Sequence, residues 1–260
     1  MEKLEKKFNV SFLNNGFLHL LINVVLLVLI VWRGIVLDGV PEYSVTTFYV
    51  VSMIVLIVAY ALHLIGFVVI LPNQSRVITF FGKYVGTLFQ NGFFWVNPLY
   101  IRQKLSLRAR NMDVEPIKVN DKNGNPIMIG LVLVWRIKDT YKATFDIDVK
   151  VPTDTAKNAS NVHGYDNFVK VQSDAALRIV AGIYAYANIT HSEESVTLRS
   201  GGEEINERLE VELQKRLHIA GIEVVEARIN YLAYASEIAS VMLRRQQADA
   251  ILSARERLVE

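Results

Sequence analysis

The 260-residue sequence contains no cysteine, which excludes disulfide frameworks, thiol catalysis and thiolate metal sites. An excess of one charge is missing too, with 28 Lys+Arg against 26 Asp+Glu and a net charge of +2. Lys3, Lys6, Lys7 and Arg33, and Glu2, Glu5, Asp38 and Glu42, precede Pro72, so the chain from Pro72 onward is nearly neutral. A nucleic-acid-binding domain would show a basic excess, so no nucleic-acid partner is expected. The signatures of hydrolytic chemistry are equally scarce. The histidines are His19, His63, His163, His191 and His218, and no two are four residues apart, the spacing that puts two zinc ligands on one helical face. There is no G-x-S-x-G, S-x-x-K, Walker loop or G-x-G-x-x-G. Gly201-Gly202 ahead of a helix could face an anion, but the simpler reading is that it shapes a turn. The expectation is a chain with no catalytic residue, no metal and no cofactor, and so not an enzyme.

What the sequence does have is apolar residues: 52% of the chain, with a mean hydropathy of +0.26. Most of the excess lies before residue 72. Phe17 to Leu37 is interrupted only by His19, Asn23 and Arg33, and as a helix it would cover about 31 Å, close to a bilayer core. Phe48 to Leu71 contains no Asp, Glu, Lys or Arg and reads as a second span with room for tilt. Lys3, Lys6 and Lys7 resemble the start of a signal peptide, but no small-x-small cleavage site follows Trp32, which predicts an uncleaved anchor. The link Asp38 to Thr47 has no Lys or Arg, whereas lysines precede the first span and Arg76 and Lys83 follow the second. The positive-inside rule then puts residues 1–16 and everything after the second span in the cytoplasm. Arg33 is the dissenting charge and is expected to snorkel toward the headgroups. His19, Asn23 and His63 could line an ion path only in an assembly, because two helices enclose no pore.

Residues 74 to 137 read as strands. Ile127, Ile129, Leu131, Leu133, Trp135 and Ile137 alternate with Met128, Gly130, Val132, Val134 and Arg136, which predicts a central strand buried on both faces for most of its length. Asn123-Gly124 supplies a turn that folds it back on Asp113 to Val119, with Pro116 at an edge or bulge. Helix is expected from Asp166 to Ala187, closed by Asn188. A second helix starts at a capping box, Ser200 with Glu203, and carries Ile205, Leu209, Leu213 and Leu217 on one face before Gly221 ends it. Val225, Ala227, Ile229 and Tyr231 then alternate with polar residues as a returning half-buried strand. The pattern is α+β, a mostly antiparallel sheet with packed helices. From Ser236 to Glu260 a helix without Gly or Pro carries a thin stripe of Val241, Ala248, Ile251 and Leu258, suited to lie against copies of itself. It shows no C-cap, which predicts a natural chain that continues past Glu260.

Pro72-Asn73-Gln74-Ser75-Arg76-Val77, then Phe81-Gly82-Lys83-Tyr84-Val85-Gly86, then Gly92-Phe93-Phe94-Trp95-Val96-Asn97-Pro98 resemble the opening of the stomatin/prohibitin/flotillin (SPFH, Band 7) domain, directly after a membrane anchor. Asn123-Gly124 before the strand ending Trp135-Arg136-Ile137-Lys138-Asp139, the helix leading into Gly221-Ile222-Glu223-Val224, and Arg244-Arg245-Gln246-Gln247-Ala248 extend the resemblance over about residues 68 to 260. Two spans exceed the usual single anchor or re-entrant hairpin, and Thr153 to Tyr165 matches no family pattern.

The apolar runs, the charge bias and the resemblance together divide the chain into a cytoplasmic segment 1–16, spans 17–37 and 48–71, an SPFH domain 72–235 and the start of an oligomerisation helix 236–260. The resemblance implies a non-enzymatic, homo-oligomeric scaffold, a ring or cage in a prokaryotic inner membrane, whose partners are the lipid bilayer and membrane proteins such as a protease it restrains. The family-motif positions are Pro72, Gln74, Phe81, Gly82, Gly86, Gly92, Phe93, Trp95 and Pro98. The competing reading is a membrane-bound hydrolase or its obligate subunit. The loop Leu88, Phe89, Phe93, Phe94 and Trp95 either dips into the headgroup layer, where aromatic rings are favoured, or packs under the sheet, the preferred reading.

Overall fold

The structure, a computed structural model, describes residues 5–9, 11, 14–38, 47–147, 160–187 and 196–259. The chain divides into two units, Met1–Arg108 and Ala109–Glu260.

In the first unit, helices α1 (Gly16–Asp38) and α2 (Thr47–Ile65) are long and apolar enough to cross a membrane. Only 6% and 0% of their most apolar windows are buried, which argues against their being core helices of a soluble fold. The link between them lies outside the described residues. The second apolar run does not stay helical to Leu71. The helix stops at Ile65, Gly66 breaks it, and Phe67–Ile70 forms strand β1, paired antiparallel with β4 (Gly92–Trp95). Val68, Val69 and Ile70 are β-branched, and a strand lets Val68 and Ile70 bury on one side. The globular part therefore begins at Phe67, not at Pro72. A three-stranded sheet follows, ordered β3 (Lys83–Leu88), β2 (Gln74–Phe80), β5 (Ile101–Ser106). Val68, Ile70, Ile78, Leu88 and Val96 form the core here, with Phe8, Val85, Phe94 and Tyr100 packed against it.

The second unit holds an antiparallel sheet ordered β6 (Arg110–Asn120), β7 (Pro126–Ile137), β8 (Ile222–Tyr234). As expected, β7 is central and folds back on β6 through Asn123-Gly124, with Gly124 at φ 79°, and the β6 bulge falls between Val114 and Ile117, around Pro116. The carboxylate of Asp121 organises this turn, accepting from the backbone N–H of Asn123, Asn125 and Tyr186 at 2.8–3.0 Å. Burial on both faces is not observed. Ile127, Ile129, Leu131, Leu133, Trp135 and Ile137 are buried, whereas Met128, Val132 and Val134 are half-buried and Arg136 is exposed. Only one face of β7 is buried along its whole length.

On β8 the expected apolar face is also displaced. Register shifts on β7 between Gly130 and Leu131 and between Val134 and Trp135 leave Asn230 and Val225 without partners, and each bulge reverses the alternation. The residues opposite the buried face of β7 are Ile222, Val224, Ala227, Ile229, Leu232 and Tyr234. Val225 and Tyr231 are exposed.

Helices α3 (Thr140–Phe145), α4 (Ser160–Ile183) and α5 (Gly202–Leu217) complete this unit. Helix α4 starts and ends earlier than Asp166 to Ala187, and Asn188 lies outside the described residues, as do residues 153–159. Ile205, Leu209, Leu213 and Leu217 are fully buried, as their spacing requires. The capping box does not form: α5 has Gly201 as N-cap without a side-chain bond, and the Ser200 hydroxyl pairs with that of Thr197 at 2.8 Å. Gly201 is needed for closeness, since a Cβ there would lie 2.2 Å from Val196 Cγ1. Gly221 ends the following 3-10 turn at φ 66°, as expected of a left-handed cap.

The polar face of α5 serves the sheet. Asn206, Glu210 and Gln214, one turn apart, accept the N–H groups of Ile229, Ala227 and Val224 at 3.2, 3.0 and 2.8 Å. The amide of Gln214 also donates to the Ile222 carbonyl at 3.1 Å. An open strand edge invites a further strand, and this ladder closes that stretch of β8. The last helix, α6 (Ser236–Val259), buries Met242 but leaves Val241, Leu243 and Ile251 exposed.

Candidate functional site

The family-motif residues before Pro98 fold into tight turns and close contacts. Pro72 and Asn73 (φ 57°) are the central pair of a turn closed by Gln74 N–H donating to the Leu71 carbonyl at 3.2 Å, the pattern of a type II turn. Phe81 (φ 45°) and Gly82 (φ 82°) form the two-residue connection of the β2–β3 hairpin, where positive φ at both positions matches strand twist. Phe81 is 83% exposed at that tip, its ring meeting only the edge of Phe80 among the described residues, with centroids 4.7 Å apart. Pro98 lies in a turn in which Asn97 accepts from the N–H groups of Leu99 and Tyr100 at 3.0 Å.

Gly86 has a different role. A Cβ there would lie 3.1 Å from the backbone of Phe8, because the segment before α1 runs along β3. Phe8 N–H donates to the Thr87 carbonyl at 2.9 Å and Thr87 N–H to the Lys6 carbonyl at 2.8 Å, a parallel bridge on the sheet's edge. Chain on either side of the two apolar helices is thereby hydrogen-bonded together.

The aromatic loop divides between two destinations. Leu88 is buried and Phe94 packs on the small core, which is the preferred sequence reading. Phe93 and Trp95 turn instead to the feet of the helices. Phe93 stacks on Phe67 with ring centroids 5.2 Å apart and meets Phe17 edge-on at 5.4 Å, and no side chain larger than hydrogen fits at Gly16 beside it. Gly92, at φ 145°, opens that strand. Trp95 stacks on His19 at 4.2 Å, and its Nε1–H donates to the His63 carbonyl at 2.9 Å. Gly66 leaves room for the indole, since a Cβ would fall 2.2 Å from its Nε1.

His19 and His63 meet at this foot, Nδ1 to Nε2, at 2.9 Å. One ring must donate and the other accept, so the contact needs at least one neutral imidazole. Asn23 lies one turn further along α1, 7% exposed, and donates to the His19 carbonyl at 3.1 Å. Among the described residues its Oδ1 and the Nδ1 of His63 have no hydrogen-bond partner. Beside them is a cleft of about 380 Å³ lined by Phe8, Leu18, His19, Trp95, Asn97 and Tyr100, among others. At the other end of the hairpin Arg33 donates to Ser52 Oγ at 3.3 Å and lies 4.8 Å over the Tyr49 ring. Its partners lie in the first turns of α2, at the same end of the hairpin.

Reading the polar residues singly missed the His19–His63 contact. Its signal is positional: in an antiparallel hairpin, a residue near the start of the first helix and one near the end of the second lie at one level. Among the described residues no group of three or more His, Asp or Glu could hold a metal ion. The site's chemistry is that of ring packing and a shared imidazole proton. A model of the SPFH domain / Band 7 family matches residues 68–260, beginning within β1. Nothing among the curated proteins matches the chain.

Proposed function

Since the chain belongs to the SPFH/Band 7 family, a scaffold family that is generally non-enzymatic, we propose that it is a membrane-anchored scaffold whose copies assemble into a ring or cage through α6. The assembly organises lipids and membrane proteins, and restraint of a membrane protease is the client role we assign to it. The observation that carries this reading is the bare surface of α6. Val241, Leu243 and Ile251 are 63%, 57% and 56% exposed on a helix of 24 residues, where a repeated contact with neighbouring copies would cover them. Ala248 is exposed on the same helix, in line with the predicted stripe.

The hairpin supports a topology with both flanks on one side of the bilayer, because the bridge between Lys6–Phe8 and Thr87 requires the two to share a compartment. The lysines before α1 favour the cytoplasm as that side. The test is gel filtration and negative-stain imaging of the detergent-solubilised full chain, with an assay for hydrolytic turnover. We expect a very large homo-oligomer without turnover, and dissociation when Val241 and Ile251 are both changed to Lys. A monodisperse wild-type monomer would overturn the proposal.

A further inference from the structure

From Tyr43 to Arg108, where the first unit ends, the sequence contains no Asp or Glu, while Arg76, Lys83, Arg102, Lys104 and Arg108 lie in that stretch. The first unit therefore places its cations on the small sheet without carboxylates of the same stretch to answer them. Three are close together. Arg76 and Lys104 are direct cross-strand partners on β2 and β5, and Arg102, opposite Ile78, is the diagonal neighbour on the same face, at about 7–8 Å by sheet geometry. That face is turned to the small core and the end of α2. Arg102 donates from Nη1 to the Gly66 carbonyl at 3.3 Å and from Nη2 to the Ile65 carbonyl at 3.0 Å. Those carbonyls end the second apolar helix, so this guanidinium is fixed at the depth where a span gives way to headgroups.

Capping α2 accounts for Arg102 but not for its neighbours. Arg76 is half-buried and has no hydrogen-bond or carboxylate partner among the described residues. Burial, and then the Arg102 guanidinium, push Arg76 below the ordinary arginine range, and burial lowers Arg102 as well. Two half-buried guanidiniums that repel one another are costly unless an anion lies between them. The planar forks of arginine suit the oxygens of a phosphate diester, and Lys104 adds a point charge.

We infer that Arg76, Arg102 and Lys104 form a binding site for the headgroup phosphate of an anionic phospholipid in the leaflet at the foot of α2. The inference rests on α1 and α2 spanning a bilayer, as proposed above. The site gives the anchor a lipid preference that neither apolar helix could supply. Attraction to an anionic leaflet strengthens with each cation near its surface and weakens with salt.

The test uses the full chain extracted from vesicles of phosphatidylcholine and phosphatidylglycerol, with bound lipid read by native mass spectrometry. Carbonate extraction in parallel reports whether the protein is integral, so loss of the spans and loss of the site are read separately. Wild type should retain phosphatidylglycerol over phosphatidylcholine by about tenfold, and 0.5 M salt during extraction should reduce that ratio. Arg76→Gln with Lys104→Gln leaves the Arg102 cap intact and should bring the ratio near one while the circular dichroism is unchanged. A control with equal or greater charge loss, Lys122→Gln, Arg208→Gln and Lys215→Gln in the second unit, should keep the wild-type preference. An unchanged ratio in the double variant, or an equal drop in the control, overturns the site.

Discussion

The two units hold together by different chemistry. In the second, charged pairs lace the surface over an aliphatic core: Arg136 and Lys138 on Glu223, Lys118 on Glu237, and Arg216 on Glu212 at 3.1 Å. In the first, contacts near the helix feet are made largely by rings, with Trp95 on His19, Phe93 on Phe67, and His63 beside both His19 and Trp95. A chain whose one end meets lipid cannot spend carboxylates there, because like the arginines they would need partners out of water. Rings give contact area and a single polar edge without that cost.

The tryptophans sharpen this contrast. Trp135 is fully buried in the sheet and its Nε1 has no hydrogen-bond partner among the described residues, whereas Trp95 is half-buried and its Nε1 is satisfied. The largest effect expected is that of Trp135→Ala, about 3–5 kcal/mol from the second unit, read as lost amide protection in β7 by hydrogen exchange of the full chain. Trp135→Phe should restore most of it, because no hydrogen bond is forfeited. Next comes Trp95→Phe, which removes the bond to His63 and should cost about 1 kcal/mol, seen as faster exchange at the end of α2. If the two Phe variants behaved alike, the distinction between an aliphatic and a ring-and-hydrogen-bond interior would fail. The smallest effect belongs to the ion pairs. Hydrogen bonds from Lys138 and then Arg136 hold the Glu223 carboxyl below its ordinary value of 4.5. A depressed folded value means that stability is present above pH 4.5 and is lost as pH falls through the lower one. Glu223→Gln should flatten that acid limb by a few tenths of a kcal/mol at most, since both cations are largely exposed, as acid denaturation curves would register.

Much of the fold is legible in the sequence where one period dominates. The β6–β7 hairpin and the buried stripe of α5 follow from alternation, an Asn-Gly turn and four-residue spacing. Legibility fails where two structures share one pattern. A buried strand and a membrane helix are both unbroken apolar runs, so β1 is hidden in the tail of the second span. The bulges on β8 move residues between faces without changing composition, and the capping box does not form because the Ser200 hydroxyl is engaged with Thr197. The site is less visible still. The motif glycines mark turns, but the meeting of His19 with His63, 44 positions apart, depends on tertiary geometry.

The bridge between Lys6–Phe8 and Thr87 has a consequence for biosynthesis. The ribosome delivers Phe8 long before Thr87 exists, and on the proposed topology both greasy segments enter the bilayer in between. The β3 margin is thus sealed by the oldest piece of the polypeptide at a late moment, which in that topology follows insertion of both segments. A translocation error that stranded the leader on the far side would leave that margin naked, and a naked strand margin is what quality-control machinery and stray polypeptides grip.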